Sequence, residues 1–85
     1  SSQNAYLHYD MGNILAANKE YDEAIKQYNS AININPYLAE AYYNRGLAYI
    51  LNGKKAEGVE SLSKAGELGL YDAYSVIKQN SKEAK

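Results

Sequence analysis

Residues 21–36 read YDEAIKQYNSAININP, and this stretch decides the fold class. Its apolar side chains recur at steps of three and four residues: Tyr21, Ala24, Ile25, Tyr28, Ala31 and Ile32. This spacing places them on one face of an α-helix. Asn35-Pro36 ends the helix, because proline disfavours helical backbone in the residue before it. The stretch therefore predicts an amphipathic helix over residues 21–34.

The pattern returns 34 residues later along the chain. Tyr28 then aligns with Leu62. Between residues 5–38 and 39–72, seven positions are identical at this offset, namely Ala5/Ala39, Tyr9/Tyr43, Gly12/Gly46, Asn18/Asn52, Glu23/Glu57, Ala31/Ala65 and Tyr37/Tyr71. Repetition at a period of about 20–50 residues is typical of stacked repeats. The sequence therefore predicts two helix hairpins, residues 5–38 and 39–72.

Turn-forming residues predict where the helices end. We expect an all-α chain with helices near residues 5–18, 21–34, 38–52, 55–68 and 72–82. Asn18 and Asn52-Gly53 are expected to supply left-handed turns, and Gly69 to end the fourth helix. The fifth helix would cover the open end of the second hairpin.

The helix pairs resemble the tetratricopeptide repeat. Counted from Ala5 and Ala39, the glycines Gly12 and Gly46 stand at the eighth place, and residues 21–28 match the second helix of the motif together with Ala31 and Pro36. The second unit departs from the motif at Lys55, Gly58 and Leu70, and residues 64–69 resemble the helix end of Sel1-like repeats. The resemblance implies a right-handed α-solenoid of two hairpins and a C-terminal capping helix that binds other proteins.

In the resembled family, four places of each first helix build an inner, concave surface. Here those places hold Tyr6, Tyr9, Asn13, Ala16, Glu40, Tyr43, Leu47 and Ile50. The residues themselves suggest such a surface, because the first helices carry few charges and are apolar on nearly every side, as buried or partnered helices are.

We therefore expect a peptide groove on the concave face. Tyr9, Tyr43, Leu47 and Ile50 would form its apolar part beside Tyr6, because tyrosine gives a large contact area with only two rotatable torsions. Asn13 and Asn44 would hydrogen-bond the backbone of the peptide. The alternative is that Tyr43 and Ile50 only pack on the neighbouring helix.

Composition excludes several classes of partner. The net charge of −1 gives no basic surface for nucleic acid, and no apolar stretch is long enough to span a membrane. Without cysteine and with His8 as the only imidazole, no metal or other cofactor is expected. No secretory signal is visible, which favours a cytoplasmic location.

Catalytic constellations are also missing. His8 has no orienting acid at a defined spacing, and Asp22 and Glu23 point to different sides of a helix. A site for a terminal carboxylate, known in the resembled family, would use Asn13 and Asn44. Lys78 could stand at its arginine place, but tyrosines, Tyr9 and Tyr74, stand where its two lysines would be.

The sequence thus predicts a noncatalytic module that binds a peptide or protein segment on its concave face. The alternative is a structural module whose uncapped apolar end drives stacking or swapping into homo-oligomers. Tyrosines can also stack on single-stranded nucleic acid, but only Arg45 and a few lysines accompany them. The expected partner is therefore a protein.

Overall fold

The structure, a computed structural model, describes residues 2–83, with side chains for residues 3–81. Within this range the chain forms five helices and no strand: α1 (Ser2–Ala17), α2 (Tyr21–Ile34), α3 (Ala39–Leu51), α4 (Lys55–Glu67) and α5 (Asp72–Glu83). The predicted all-α fold is confirmed. The first helix begins at Ser2, three residues before the position that we predicted.

The helices form two antiparallel hairpins, α1–α2 and α3–α4, and each closes on a glycine of its first helix. A Cβ atom added to Gly12 would lie 2.6 Å from Cε1 of Tyr28, and one added to Gly46 would lie 2.7 Å from Cγ of Leu62. Tyr28 and Leu62, which pack on these two glycines, are both buried. The 34-residue repeat of the sequence is therefore a repeat of this close helix–helix contact.

Both hairpin turns require one residue in the left-handed region. That residue is Gly53 in the second hairpin (φ 82°) and Lys19 in the first (φ 64°). The prediction for Asn18 is therefore wrong, because the first turn has the same register as the second and places Lys19 where Gly53 stands. Gly69 takes a φ of 107° directly after α4, as a helix stop does.

Small residues bring the two hairpins together at the contact between α2 and α3. Ala31 of α2 packs with Leu38 and Ala41 near the start of α3, and Ala24 packs with Ala48 further along. Alanine side chains allow helix axes to approach closely. α2 is therefore shared by both hairpins.

α5 covers the far end of the second hairpin. Its Ala73 is fully buried against Leu62 and Ala65, and the ring of Tyr74 occupies the space over Gly66. None of the helices described between residues 2 and 83 is long and apolar enough to cross a membrane.

Candidate functional site

A groove of about 330 Å³ lies between the C-terminal halves of α1 and α3. Its lining consists of Asn13, Ala16 and Ala17 from α1, Tyr21 and Tyr28 from α2, and Asn44, Leu47, Ala48 and Leu51 from α3. The three alanines leave the space open, because they carry no side chain beyond Cβ. None of the lining residues is charged.

Four side chains form a hydrogen-bonded group at one end of the groove. Oη of Tyr28 donates to Oδ1 of Asn13 over 2.7 Å. Nδ2 of Asn44 donates to Oδ1 of Asn13 over 2.9 Å and to Oη of Tyr9 over 3.1 Å. These bonds fix the orientation of both amide groups, so the two asparagines are held in place before any ligand arrives.

The same bonds leave one donor and one acceptor uncommitted. Oδ1 of Asn13 and both protons of Asn44 Nδ2 are engaged, whereas Nδ2 of Asn13 and Oδ1 of Asn44 make no hydrogen bond to the described residues. Both asparagines are half-buried, and no fully buried polar side-chain atom of the described residues lacks a partner. The remaining donor and acceptor therefore face accessible space.

Burial controls the ionisation of Tyr28. Desolvation, followed by the nearby Tyr9, raises the pKa of the Tyr28 hydroxyl from 10.0 to about 12. The ring centroids of the two tyrosines are 6.2 Å apart. The Tyr28 hydroxyl therefore stays protonated, and keeps donating to Asn13, up to a higher pH than the hydroxyl of an exposed tyrosine.

In the structure, some of the residues that we predicted for the site lie at the groove and others do not. Asn13, Asn44 and Leu47 line the groove. Tyr9 does not line the groove, but its hydroxyl accepts a hydrogen bond from Nδ2 of Asn44, and Tyr6 packs edge-on against the Tyr9 ring at a centroid distance of 6.4 Å.

The other two predicted site residues lie elsewhere. Tyr43 and Ile50 are half-buried against the cluster of Tyr42, Leu62, Ala65 and Ala73, and Ile50 fills the space over Gly58. The groove therefore does not include them. A role of these two residues in peptide binding, and the alternative that they only contact the neighbouring helix, both stay predictions.

Five lining residues were not predicted for the site, namely Ala17, Tyr21, Tyr28, Ala48 and Leu51. Leu51 is 65% exposed although it is a large apolar residue. It follows Leu47 by one helical turn, so the i, i+4 spacing on α3 is the signal that could have found it. Ala16 does line the groove, at the place that the family resemblance implied.

Among the described residues, the other candidate sites, for a carboxylate, for catalysis or for a metal ion, lack the side chains that they would need. No lysine or arginine lines the groove, and Tyr74 packs on Gly66 instead of reaching it. Nδ1 of His8 pairs with Oε1 of Gln27 at 2.8 Å. Within residues 2–83, no group of three His, Cys, Asp or Glu side chains could hold a metal ion.

Arg45 connects three helices away from the groove. Its Nε donates to Oγ of Ser61 over 3.0 Å, and Nη1 donates to Oδ1 of Asn29 over 2.9 Å. The guanidinium also lies over the ring of Tyr42, at 5.3 Å from the centroid. This cation therefore holds α2, α3 and α4 together.

Stacked helix hairpins with a groove between successive first helices define a helical-repeat protein. Family models described as TPR repeat and tetratricopeptide repeat match residues 12–53 and 39–68. The chain belongs to the tetratricopeptide repeat family. Both family models describe tetratricopeptide repeats, and the Sel1-like character of residues 64–69 stays a prediction.

Curated relatives agree with this assignment. Photosystem I assembly protein Ycf3 of Acaryochloris marina is 34% identical over 61 residues, which cover 72% of this chain and 37% of that protein. Hsp70-Hsp90 organizing protein of Triticum aestivum is 41% identical over 59 residues, covering 69% of this chain and 10% of that protein. Small glutamine-rich tetratricopeptide repeat-containing protein 2 of Saccharomyces cerevisiae is 34% identical over 67 residues, which cover 79% of this chain and 19% of that protein.

The chain spans less than two fifths of the length of each of these relatives. The family and the relatives support a protein–protein interaction module.

Proposed function

We propose that the groove between α1 and α3 binds an extended peptide segment of a partner protein. The observation that carries this proposal is the pair of asparagines, Asn13 and Asn44, which two tyrosine hydroxyls hold beside an apolar groove. A peptide group offers one N–H donor and one carbonyl acceptor. The free acceptor of Asn44 and the free donor of Asn13 complement these two groups.

The apolar part of the groove selects the side chain of the peptide. Leu47 and Leu51 lie along one wall, and alanines form much of the rest. A volume of about 330 Å³ accommodates a residue of aliphatic type with the adjoining backbone. Covering Leu51, which is 65% exposed, removes apolar surface from water and favours binding.

The uncharged lining of the groove selects against a carboxylate as ligand. Because no basic side chain lines it, a C-terminal carboxylate would lose its hydration without gaining an ion pair. The ligand is therefore an internal, uncharged segment. The relative from Triticum aestivum is named for organising two other proteins, which supports a protein partner for this chain as well. The module is noncatalytic and acts in the cytoplasm in this proposal.

A library of short displayed peptides, selected on the chain, tests this proposal. We expect the selected peptides to share an aliphatic residue and no acidic C-terminus. Leu51→Glu should weaken the binding of a selected peptide at least about tenfold, which equals ~1.4 kcal/mol, because it places a charge in the apolar wall. Isothermal titration calorimetry gives the affinity.

The matched control is Tyr37→Ser, since Tyr37 is exposed in the turn between α2 and α3 and lies outside the groove. It should leave the affinity unchanged. A selected peptide that binds Leu51→Glu as tightly as the parent chain would refute the groove as the binding site. Selection of peptides with acidic C-termini would refute the uncharged ligand.

A further inference from the structure

The face of α3 that lines the groove continues one helical turn beyond it. Asn44, Leu47 and Leu51 line the groove. Glu40 precedes Asn44 by four residues and Leu47 by seven, so these three residues share one face of α3. Glu40 is exposed and lies in the first turn of the helix. A carboxylate therefore stands on the groove-lining face of α3, beyond the asparagine end of the groove.

Among the described residues, Glu40 has no cationic partner. The ion pair in this part of the chain joins Lys26 to Glu23 within α2. Arg45, the only cation of α3, is tied to α2 and α4 by hydrogen bonds. α1 contributes Asp10 as its only charged residue, and Asp10 is exposed. The two helices that form the groove therefore leave only acidic charge accessible to a ligand.

Two tyrosines of α1 stand at the same end of the groove as Glu40. Asn13 pairs with Asn44 across the groove, and the C-terminal halves of both helices continue from there along it. Tyr6 and Tyr9 come before the asparagine of α1, and Glu40 comes before that of α3. Tyr6 is 47% exposed, and a tyrosine ring attracts a cation over its face. This end of the molecule thus offers a carboxylate and an aromatic ring to a basic side chain.

The spacing along α3 sets the spacing in the ligand. Glu40 precedes Leu47 by seven residues and Leu51 by eleven. Because a helix rises about 1.5 Å per residue, the carboxylate and the apolar wall are about 10 to 16 Å apart along the helix axis. An extended peptide covers this distance with about three to five residues. The peptide group that the two asparagines bind lies between these two points.

We infer that the site selects peptide segments with a lysine or arginine about three to five residues from the aliphatic residue, and that Glu40 binds this cation. The inference rests on the proposed function. It adds a basic residue beyond the uncharged segment that the groove itself holds. Glu40 is then a residue that determines specificity, whereas the asparagines and the leucines supply the binding that every ligand shares.

A set of capped peptides tests the inference. Each peptide has a central leucine with five serine or glycine residues on each side, and one lysine takes each of these places in turn. The peptide without lysine is the reference. NMR titration of the labelled chain measures even weak affinities. We expect lysine to lower the Kd about two- to fivefold, as an exposed ion pair does, when it stands about three to five places from the leucine and not when it stands next to it.

Glu40→Gln should abolish this gain, because it removes the charge and keeps the size of the side chain. The matched control is Glu57→Gln, since Glu57 is also exposed in the first turn of its helix and lies outside the groove. It makes the same change in net charge and should keep the gain. Salt at about 1 M should remove the gain in the parent chain, since it screens exposed charges.

These comparisons separate ligand binding from a purely structural role of Glu40. A carboxylate in the first turn also stabilises the helix dipole, but loss of that effect would change the affinity for both peptides alike. Charge reversal gives a further readout. Glu40→Lys should weaken the binding of the lysine peptide and strengthen that of the peptide with glutamate in the same place. Circular dichroism shows whether each variant remains folded.

Two results would overturn the inference and leave the peptide groove in place. Either lysine lowers the Kd at none of the places, or its gain survives in Glu40→Gln. The peptide without lysine tests the proposed function separately. If this peptide does not bind, or binds Leu51→Glu as tightly as the parent chain, the groove is not the binding site and both proposals fail.

Discussion

The two hairpins close on equivalent glycines but fill the contact differently. In the first hairpin the ring of Tyr28 covers Gly12, and in the second the side chain of Leu62 covers Gly46. The second hairpin also has Gly58 where the first has Ala24. There the backbone carbonyl of Gly58 would lie only 2.9 Å from a Cβ at position 46.

This difference explains why the tyrosine hydroxyl that bonds Asn13 in the candidate site comes from the first hairpin. Tyr28 packs on Gly12, and its hydroxyl extends beyond this contact and donates to Oδ1 of Asn13. Leucine has no such group, and two facing glycines supply none either. The same packing position therefore supports a polar site in one repeat and only stabilises the fold in the other.

The largest expected effect comes from Gly46→Ala. The new methyl group would meet the Gly58 carbonyl oxygen at 2.9 Å and Cγ of Leu62 at 2.7 Å, so backbone as well as side chain must shift. Overpacking of this kind costs about 3 kcal/mol at its upper range. Urea unfolding followed by circular dichroism should show this loss in the free energy of unfolding.

Gly12→Ala is the matched variant in the first hairpin. Its new methyl group meets only the Tyr28 ring, at 2.6 Å from Cε1, with no backbone atom among its nearest neighbours. Alanine also favours the helix by about 1 kcal/mol over glycine. We expect a smaller loss than for Gly46→Ala. If Gly12→Ala lowered the free energy of unfolding as much as Gly46→Ala or more, a contact with a side-chain ring would be no easier to relieve than a contact with a backbone carbonyl, and our explanation would be wrong.

A second prediction concerns stability at alkaline pH. The pKa of Tyr28 is about 12 in the folded chain, against an ordinary value of 10.0. The folded state therefore holds the proton more tightly, and the stabilisation from this group is complete below pH 10 and lost as the pH rises from 10 towards 12. By pH 11 the free energy of unfolding should fall by about 1.4 kcal/mol relative to neutral pH.

Tyr28→Phe isolates this contribution, because it removes the titrating hydroxyl and keeps the ring. Urea unfolding of both chains at neutral pH and at pH 11 gives the difference. The variant should be less stable at neutral pH by about 1 kcal/mol, since the bond to Asn13 is lost. It should then lose less between the two pH values than the parent chain. Equal losses would show that Tyr28 ionises as easily in the folded chain as in the unfolded one.

The periodicity of residues 21–36 and the glycine repeat were enough to predict the all-α fold, because helical spacing and close contacts are local or repeated signals. The candidate site was less accessible to prediction. Asn13, Asn44 and Leu47 follow from places on the first helices, whereas Tyr43 and Ile50 share that helix surface and yet pack inward. Whether Tyr43 and Ile50 line the groove or pack against other helices depends on the side chains that α4 and α5 place against them. Helix periodicity carries no information about those contacts.

Left-handed turn residues show a second limit of the sequence. Asn18 was predicted because asparagine tolerates positive φ, but the register of the hairpin assigns that conformation to Lys19. A lysine carries no local signal for this backbone geometry. Only the alignment of Lys19 with Gly53 indicates it, and that alignment requires both repeats to have the same turn.

The turns yield the smallest expected effect. Lys19 adopts a φ of 64°, which costs a non-glycine residue about 1 kcal/mol or more. Lys19→Gly removes this strain but increases the conformational entropy of the unfolded chain, so the net gain in the free energy of unfolding should be about 0.5 kcal/mol. Gly53→Ala is the reverse substitution at φ 82°, where nothing lies within 4 Å of the new Cβ. It should lower stability by about 1 kcal/mol through the backbone alone. If both variants change stability in the same direction, the two turns do not share one strained position.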